Sequence, residues 1–153
     1  MIAIKKILFA TDFSDCARTA QEYAASFASQ YRAELHVLYV MPDIALMMPD
    51  PGTSLSLPQN YLVDQKNDAQ RSLDKLFPDS ATEGYKIVRS LRMGNPFVEI
   101  VKYAEDIGAE LIVVGTHGRG ALMHLLMGSV AEKVVRKARC PVLSVRPAGH
   151  PPA

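Results

Sequence analysis

The chain has 153 residues, 48% of them apolar and 22% charged, a balance that fits one globular domain with its own core. The formal net charge of +1 argues against a bulk electrostatic partner such as duplex nucleic acid, which demands a strongly basic face, and no run reaches the ~18 apolar residues needed to cross a bilayer. Cys16 and Cys140 stand far apart, form no C-x-x-C pair and match no zinc spacing, so both read as reduced thiols of a cytoplasmic protein, and the opening residues carry no leader pattern.

The apolar run Ile7–Ala10 predicts a strand that ends at Thr11 and Asp12. From Ser14 to Tyr31, residues Ala17, Ala20, Ala24, Phe27, Ala28 and Tyr31 recur at intervals of three and four and predict the inward face of a helix. Leu35–Val40 is a second strand. Met41–Pro58 then breaks the rhythm with four prolines, three methionines and no period. It is too long for an ordinary strand-to-helix connection, and reads as a surface loop or, given the apolar Ile44–Met48, as a lid or partner surface. A helix over about Asn60–Phe77 turns Leu62, Ala69, Leu73 and Leu76 inward and stops at Pro78.

Tyr85–Leu91 alternates, which suits an edge strand. Asn95, Pro96 and Gly108 are the cap, first turn and stop of a third helix. Leu111–Val114 reads as a buried strand. The last helix, over about Ser129–Ala138, places Ala131, Val134, Val135 and Ala138 inward, and Val142–Val145 is the final strand. The Pro-rich end predicts a disordered tail over 148–153, leaving residues 1–147 as a single domain. Apolar strands alternating with helices predict an α/β fold, a doubly wound five-stranded parallel sheet with helices on both faces.

The chemistry concentrates after the fourth strand. Gly115, Thr116, His117 and Gly118 are followed by nine residues, then by Gly128 and Ser129 at the start of a helix. Glycines let a backbone approach a bulky anion with its N–H groups forward, and a helix start adds unpaired donors and partial positive charge. Two such donor clusters suit a polyphosphate, although turn and cap roles would also explain the glycines. Ser129 and Glu132 form a Ser-x-x-Glu capping box, a role compatible with a phosphate contact. The P-loop pattern is absent, and Gly118–Met123 lacks the third glycine of a dinucleotide fingerprint. Asp12 either steadies the turn after the first strand or meets a ligand. Arg119 is a loop charge or a phosphate neutraliser. His117 suits positioning more than proton transfer, and His36, His124 and His150 make no metal pair. Lys133, Arg136, Lys137 and Arg139 complement the dipole of the last helix.

With Lys6–Ser14 at one end, Cys140–Arg146 at the other and the Gly115, Gly118, Gly128, Ser129 spacing between, the chain resembles the ATP-binding class of the universal stress protein family. It departs from the common family opening in having Ala10 where proline or valine is frequent. The resemblance implies an adenine nucleotide alpha hydrolase-like fold with sheet order 3-2-1-4-5 and a crevice between the first and fourth strands. It also implies ATP, ADP or AMP as ligand, with Mg²⁺ or Mn²⁺ carried on the phosphates. Asp12, flanked by Ala10 and Thr11, would lie near the nucleoside, and the backbone of Val40 would meet the adenine. Val114, Gly115, His117, Gly118, Arg119, Gly128, Ser129 and Val130 would surround ribose and phosphates. A homodimer through Val142–Arg146 is implied as well.

The leading reading is therefore a nucleotide-binding regulatory module whose bound state an unidentified protein partner reads. The alternatives are a slow ATPase, for which no dedicated general base is visible, and a dimeric interaction protein without nucleotide.

Overall fold

Five of the apolar runs become strands: β1 (Lys6–Thr11), β2 (Glu34–Pro42), β3 (Ile87–Gly94), β4 (Leu111–Gly115) and β5 (Val142–Val145). Between them lie α1 (Asp15–Tyr31), α2 (Tyr61–Lys75), α3 (Pro96–Ile107) and α4 (Ser129–Lys137). The computed structural model describes residues 1–43, 58–78, 84–117 and 127–147. Every strand pair is parallel, and the order is β3-β2-β1-β4-β5, as the resemblance implies. The third strand starts two residues later than its alternation predicts and continues to Gly94. The tail over 148–153 and most of the Met41–Pro58 segment, residues 44–57, lie outside the described residues.

Strand periodicity divides the core into two layers. Ile7, Phe9, Leu111 and Val113 pack with Ala20, Ala24 and Ala28 of α1 and Leu73 of α2. Leu8, Ala10, Ile112 and Val114 pack with Ile100 and Ala104 of α3 and Ala131 and Val134 of α4. Fully burying one Leu, Ile or Phe contributes about 1.5–3 kcal/mol, so these layers dominate the fold's stability. Three positions predicted inward are exposed instead: Leu62, Val135 and Tyr31. Val135 lies about 100° around the helix from Val134 and falls off the buried stripe. Tyr31 ends its helix and stacks on Phe27, with ring centroids 6.2 Å apart. Leu62 lies in the first turn of α2, whose buried positions, Ala69 and Leu73, are in its second half.

Helix ends are closed by identifiable groups. The side chain of Ser14 accepts the Ala17 amide at 3.2 Å and caps α1. Gly108, with φ +65°, takes the left-handed position after α3 and donates to the carbonyls of Ala104 and Glu105. Asn95 occupies the cap position of α3 but makes no side-chain cap bond. Arg89 reaches from β3 to the end of α2, donating to the carbonyls of Leu73, Leu76 and Phe77 at 3.2, 3.0 and 2.8 Å. This is why a cation is tolerated half-buried in a strand.

α1 also approaches β4 very closely. A Cβ added at Gly115 would stand 2.9 Å from Cys16 Sγ, 3.1 Å from the Cys16 carbonyl carbon and 3.2 Å from the Ala17 nitrogen. The Cys16 thiol donates to the carbonyl of Val145 at 3.4 Å, tying the start of α1 to β5. Gly115→Ala is expected to lower stability by about 1–3 kcal/mol through overpacking. Cys16→Ala should rescue it only in part, because two of the crowding atoms are backbone. Urea denaturation of the single and double variants measures both effects.

The carboxylate of Glu34 accepts from Lys86 Nζ at 2.9 Å and from His36 Nε2 at 2.7 Å. These hydrogen bonds, that of Lys86 first, hold its pKa below the ordinary carboxylate value. A folded value below the unfolded one makes the contribution fully present above about pH 4.3, the ordinary unfolded value, and lost as pH falls through the folded value. Glu34→Gln should therefore be less stable than the parent chain at neutral pH, the difference closing in acid, as read by urea midpoints across the pH range.

Candidate functional site

In a parallel sheet of this order, the connections leave β1 and β4 toward opposite faces, and a crevice opens between their carboxyl ends. Thr11 stands opposite Tyr39 of β2, and Ala10 stands opposite Val114 of β4. The chain steps from these positions to Asp12 on one side and Gly115 on the other.

The turn from β1 into α1 is held by side chains bonding their own neighbourhood. Thr11 Oγ1 accepts the Phe13 amide at 3.0 Å, and Asp12 Oδ1 accepts the Ser14 amide at 3.0 Å. Phe13, between them, has φ +63°, a left-handed conformation that costs a non-glycine residue roughly 1–2 kcal/mol. Its ring lies against Tyr39, 4.7 Å between centroids. The two local hydrogen bonds and this ring contact over-determine the strained residue, as strained functional turns require. Asp12 thus performs the turn role, with its half-buried carboxylate at the crevice edge.

Across the crevice, Thr116 does most of the joining. It is buried, 2% exposed. Its amide donates to the Val145 carbonyl at 2.8 Å, its own carbonyl accepts the Gly128 amide, and its hydroxyl lies 2.9 Å from His117 Nδ1. One residue therefore brings the end of β4, the end of β5 and the start of α4 together, although Thr116 and Gly128 are twelve positions apart in the chain. Gly118, Arg119 and His124 lie outside the described residues.

The capping box predicted for Ser129 does not form. Gly128 takes the extended cap position, φ −69° and ψ 154°, Ser129 is already helical, and no side-chain cap bond is made. A capping side chain needs an extended backbone at its own residue, and Ser129 lacks one. The first bond within α4 runs from the Glu132 amide to the Gly128 carbonyl at 3.0 Å. The amides of Ser129, Val130 and Ala131 precede that ladder, at the positive end of the helix dipole. The donors this helix start presents are theirs, because the amide of Gly128 is committed to Thr116.

Val40 is 6% exposed and stands opposite Arg92 of β3. Ala10 and Val114 lie in the α3–α4 layer of the core beneath the edge. Of the predicted site, the structure brings together Thr11, Asp12, Gly115, His117, Gly128, Ser129 and Val130 at the carboxyl edge, with Val40 beside them on β2. Among the described residues, no three His, Cys, Asp or Glu side chains group as metal ligands, and no helix is long and apolar enough to cross a membrane. The residues missed from the sequence are Thr116, Cys16 and Phe13. Thr116 was detectable only as a β-branched polar residue inside a glycine run; Cys16 and Phe13 act through contacts that spacing does not report.

The sequence model of the universal stress protein family matches residues 3–146. Universal stress protein MJ0531 of Methanocaldococcus jannaschii is 38% identical over 143 residues, 93% of this chain and 82% of that protein. Universal stress protein MJ0577 of the same organism is 31% identical, covering 95% of this chain and 96% of that one. The solved structure of MJ0577 superposes with a TM-score of 0.81 over 97% of this chain and 99% of its own. A family structure from Burkholderia pseudomallei gives 0.71 at 30% identity, with 97% and 99% covered. The fold is also that of a universal stress protein solved in complex with cAMP, at 22% identity, with 96% of this chain and 100% of that one covered and a TM-score of 0.63. With this coverage and these relatives, the chain belongs to the universal stress protein family.

Proposed function

We propose that the protein is a nucleotide-binding regulatory module that holds ATP, or ADP or AMP, at the carboxyl edge of β1 and β4 and signals in a stress response through conformation or dimer contacts. The observation that carries this reading is the Gly128–Thr116 hydrogen bond, which sets the positive start of α4 beside the crevice between Asp12 and Gly115. That universal stress proteins of this fold were solved with cAMP and with dAMP supports an adenine nucleotide as the ligand class.

In this reading the adenine lies against the backbone of Val40 and the nucleoside lies near Asp12. The amides of Ser129 and Val130 face the phosphates with Gly115, His117, Gly118 and Arg119. Ala10, Thr11 and Val114 form the packed base. Gly128 serves by lacking a side chain at the helix cap, since its amide is already bonded. In this reading a divalent ion, Mg²⁺ or Mn²⁺, is carried on the phosphates. β5 ends the sheet order, so its outer edge is where Val142–Arg146 would pair with a second copy. Hydrolysis would be slow: the described titratable side chains at the crevice are Asp12 and His117, and Asp12 is already engaged by the Ser14 amide.

Calorimetry on nucleotide-free protein should show binding of at least one of ATP, ADP and AMP. Gly128→Asp should abolish it, by setting a like charge and bulk against the phosphates, while the circular dichroism spectrum stays native. Absence of binding at millimolar nucleotide in the parent chain, or unchanged affinity in Gly128→Asp, would refute the proposed site.

A further inference from the structure

On the α3 side of the sheet, four residues before Val40 on β2, a polar chain runs into the core. His36 is 6% exposed, yet both ring nitrogens are bonded. Nε2 lies 2.7 Å from Glu34 Oε1, and Nδ1 lies 2.9 Å from the hydroxyl of Tyr103. The Tyr103 hydroxyl lies 2.7 Å from Ser90 Oγ on β3. The guanidinium of Arg92 lies over the Tyr103 ring, 4.6 Å from its centroid, and is anchored by Asp106 at 2.9 Å and Glu99 at 3.5 Å.

Hydrogen-bond chemistry fixes part of this chain and leaves the rest reversible. Glu34 also accepts from Lys86, so it is a carboxylate and only accepts. His36 Nε2 must then carry a proton, and any further proton goes to Nδ1. With Nδ1 bare, Tyr103 donates to it and Ser90 donates to Tyr103. With Nδ1 protonated, it donates to Tyr103, and Tyr103 donates to Ser90. In both states each nitrogen and oxygen along this line keeps a hydrogen-bond partner.

We propose that His36 is a proton-operated switch: gain of a proton at Nδ1 reverses the donation through Tyr103 and Ser90 and places a second cation against the ring that Arg92 covers. The charged and titratable groups facing it are Glu34 on β2, Lys86 just before β3, Arg92 on β3, and Tyr103 with Glu99 and Asp106 on α3. From β1 its register partner is the apolar Leu8, and the nearby Lys6 Nζ is committed to the Ile107 carbonyl at 3.0 Å. Arg92 is the register partner of Val40, so the switch acts beneath the strand end that meets adenine in the proposed function, a consequence that rests on that reading.

The switch itself is tested without nucleotide, so the two proposals fail separately. Nitrogen-15 NMR of the full chain should show His36 Nε2 protonated throughout. Nδ1 should move from the unprotonated to the protonated range as pH is lowered within the folded state, and the Ser90 Cβ resonance should shift at the same midpoint. In Tyr103→Phe the ring should still titrate while Ser90 no longer follows. A proton on Nδ1 with Nε2 bare at high pH would overturn the proposal, as would a His36 that keeps one charge state down to acid unfolding. So would a Ser90 that follows His36 equally in Tyr103→Phe. The first two outcomes need no variant.

Discussion

The carbonyl of Thr116 holds the amide of Gly128, and the candidate site depends on that bond. β4 ends at Gly115, and α4 begins at Ser129. The bond fixes the helix start at the strand end, and the packing of Ala131 against the layer that holds Ala10 and Val114 supports it. With it, the amides of Ser129, Val130 and Ala131, which precede the helix ladder, are placed at the end of β4. Thr116 is itself held by the Val145 carbonyl and buried almost completely, so the last strand supports the site from behind. A polar residue this deep is stable because each of its groups has a partner.

The same edge shows how one glycine serves two demands. Gly115 falls in the spacing that suggests a phosphate cradle, yet its missing Cβ is occupied from behind by Cys16 and Ala17 of α1. Close packing of α1 on β4 would require glycine there whatever the ligand. Small residues continue this logic along the helix, where Ala20, Ala24 and Ala28 let it lie close on β1 and β4. α1 therefore reaches the crevice with its amino end, capped by Ser14, beside the strained Phe13 turn.

The two faces of the sheet are built differently. The α1–α2 face is apolar at its buried centre, and Arg89 on that side is used to close the end of α2. The α3–α4 face admits a line of polar groups, Glu34, His36, Tyr103 and Ser90, between β2, β3 and α3. Such a line is tolerated only because it is continuous; a single missing partner would strand a buried donor or acceptor.

Local pattern alone determined much of this protein. Apolar runs of strand length alternating with three- and four-spaced helices specify a parallel α/β sheet, because no other arrangement buries both faces of such strands. The glycine spacing after β4 and the two chain ends together pointed to the family and the crevice. Helix faces were legible where the stripe was regular, as in Ala20, Ala24 and Ala28, and misread where a residue lay at a helix end or off the stripe, as with Leu62, Tyr31 and Val135. What only tertiary structure decided were the partners of individual polar groups: that Gly128, not Ser129, caps α4, that Thr116 takes the Gly128 amide, and that Cys16 fills the space Gly115 leaves. Periodicity reports which side of an element is buried, whereas a hydrogen bond depends on where a second element, distant in sequence, comes to rest.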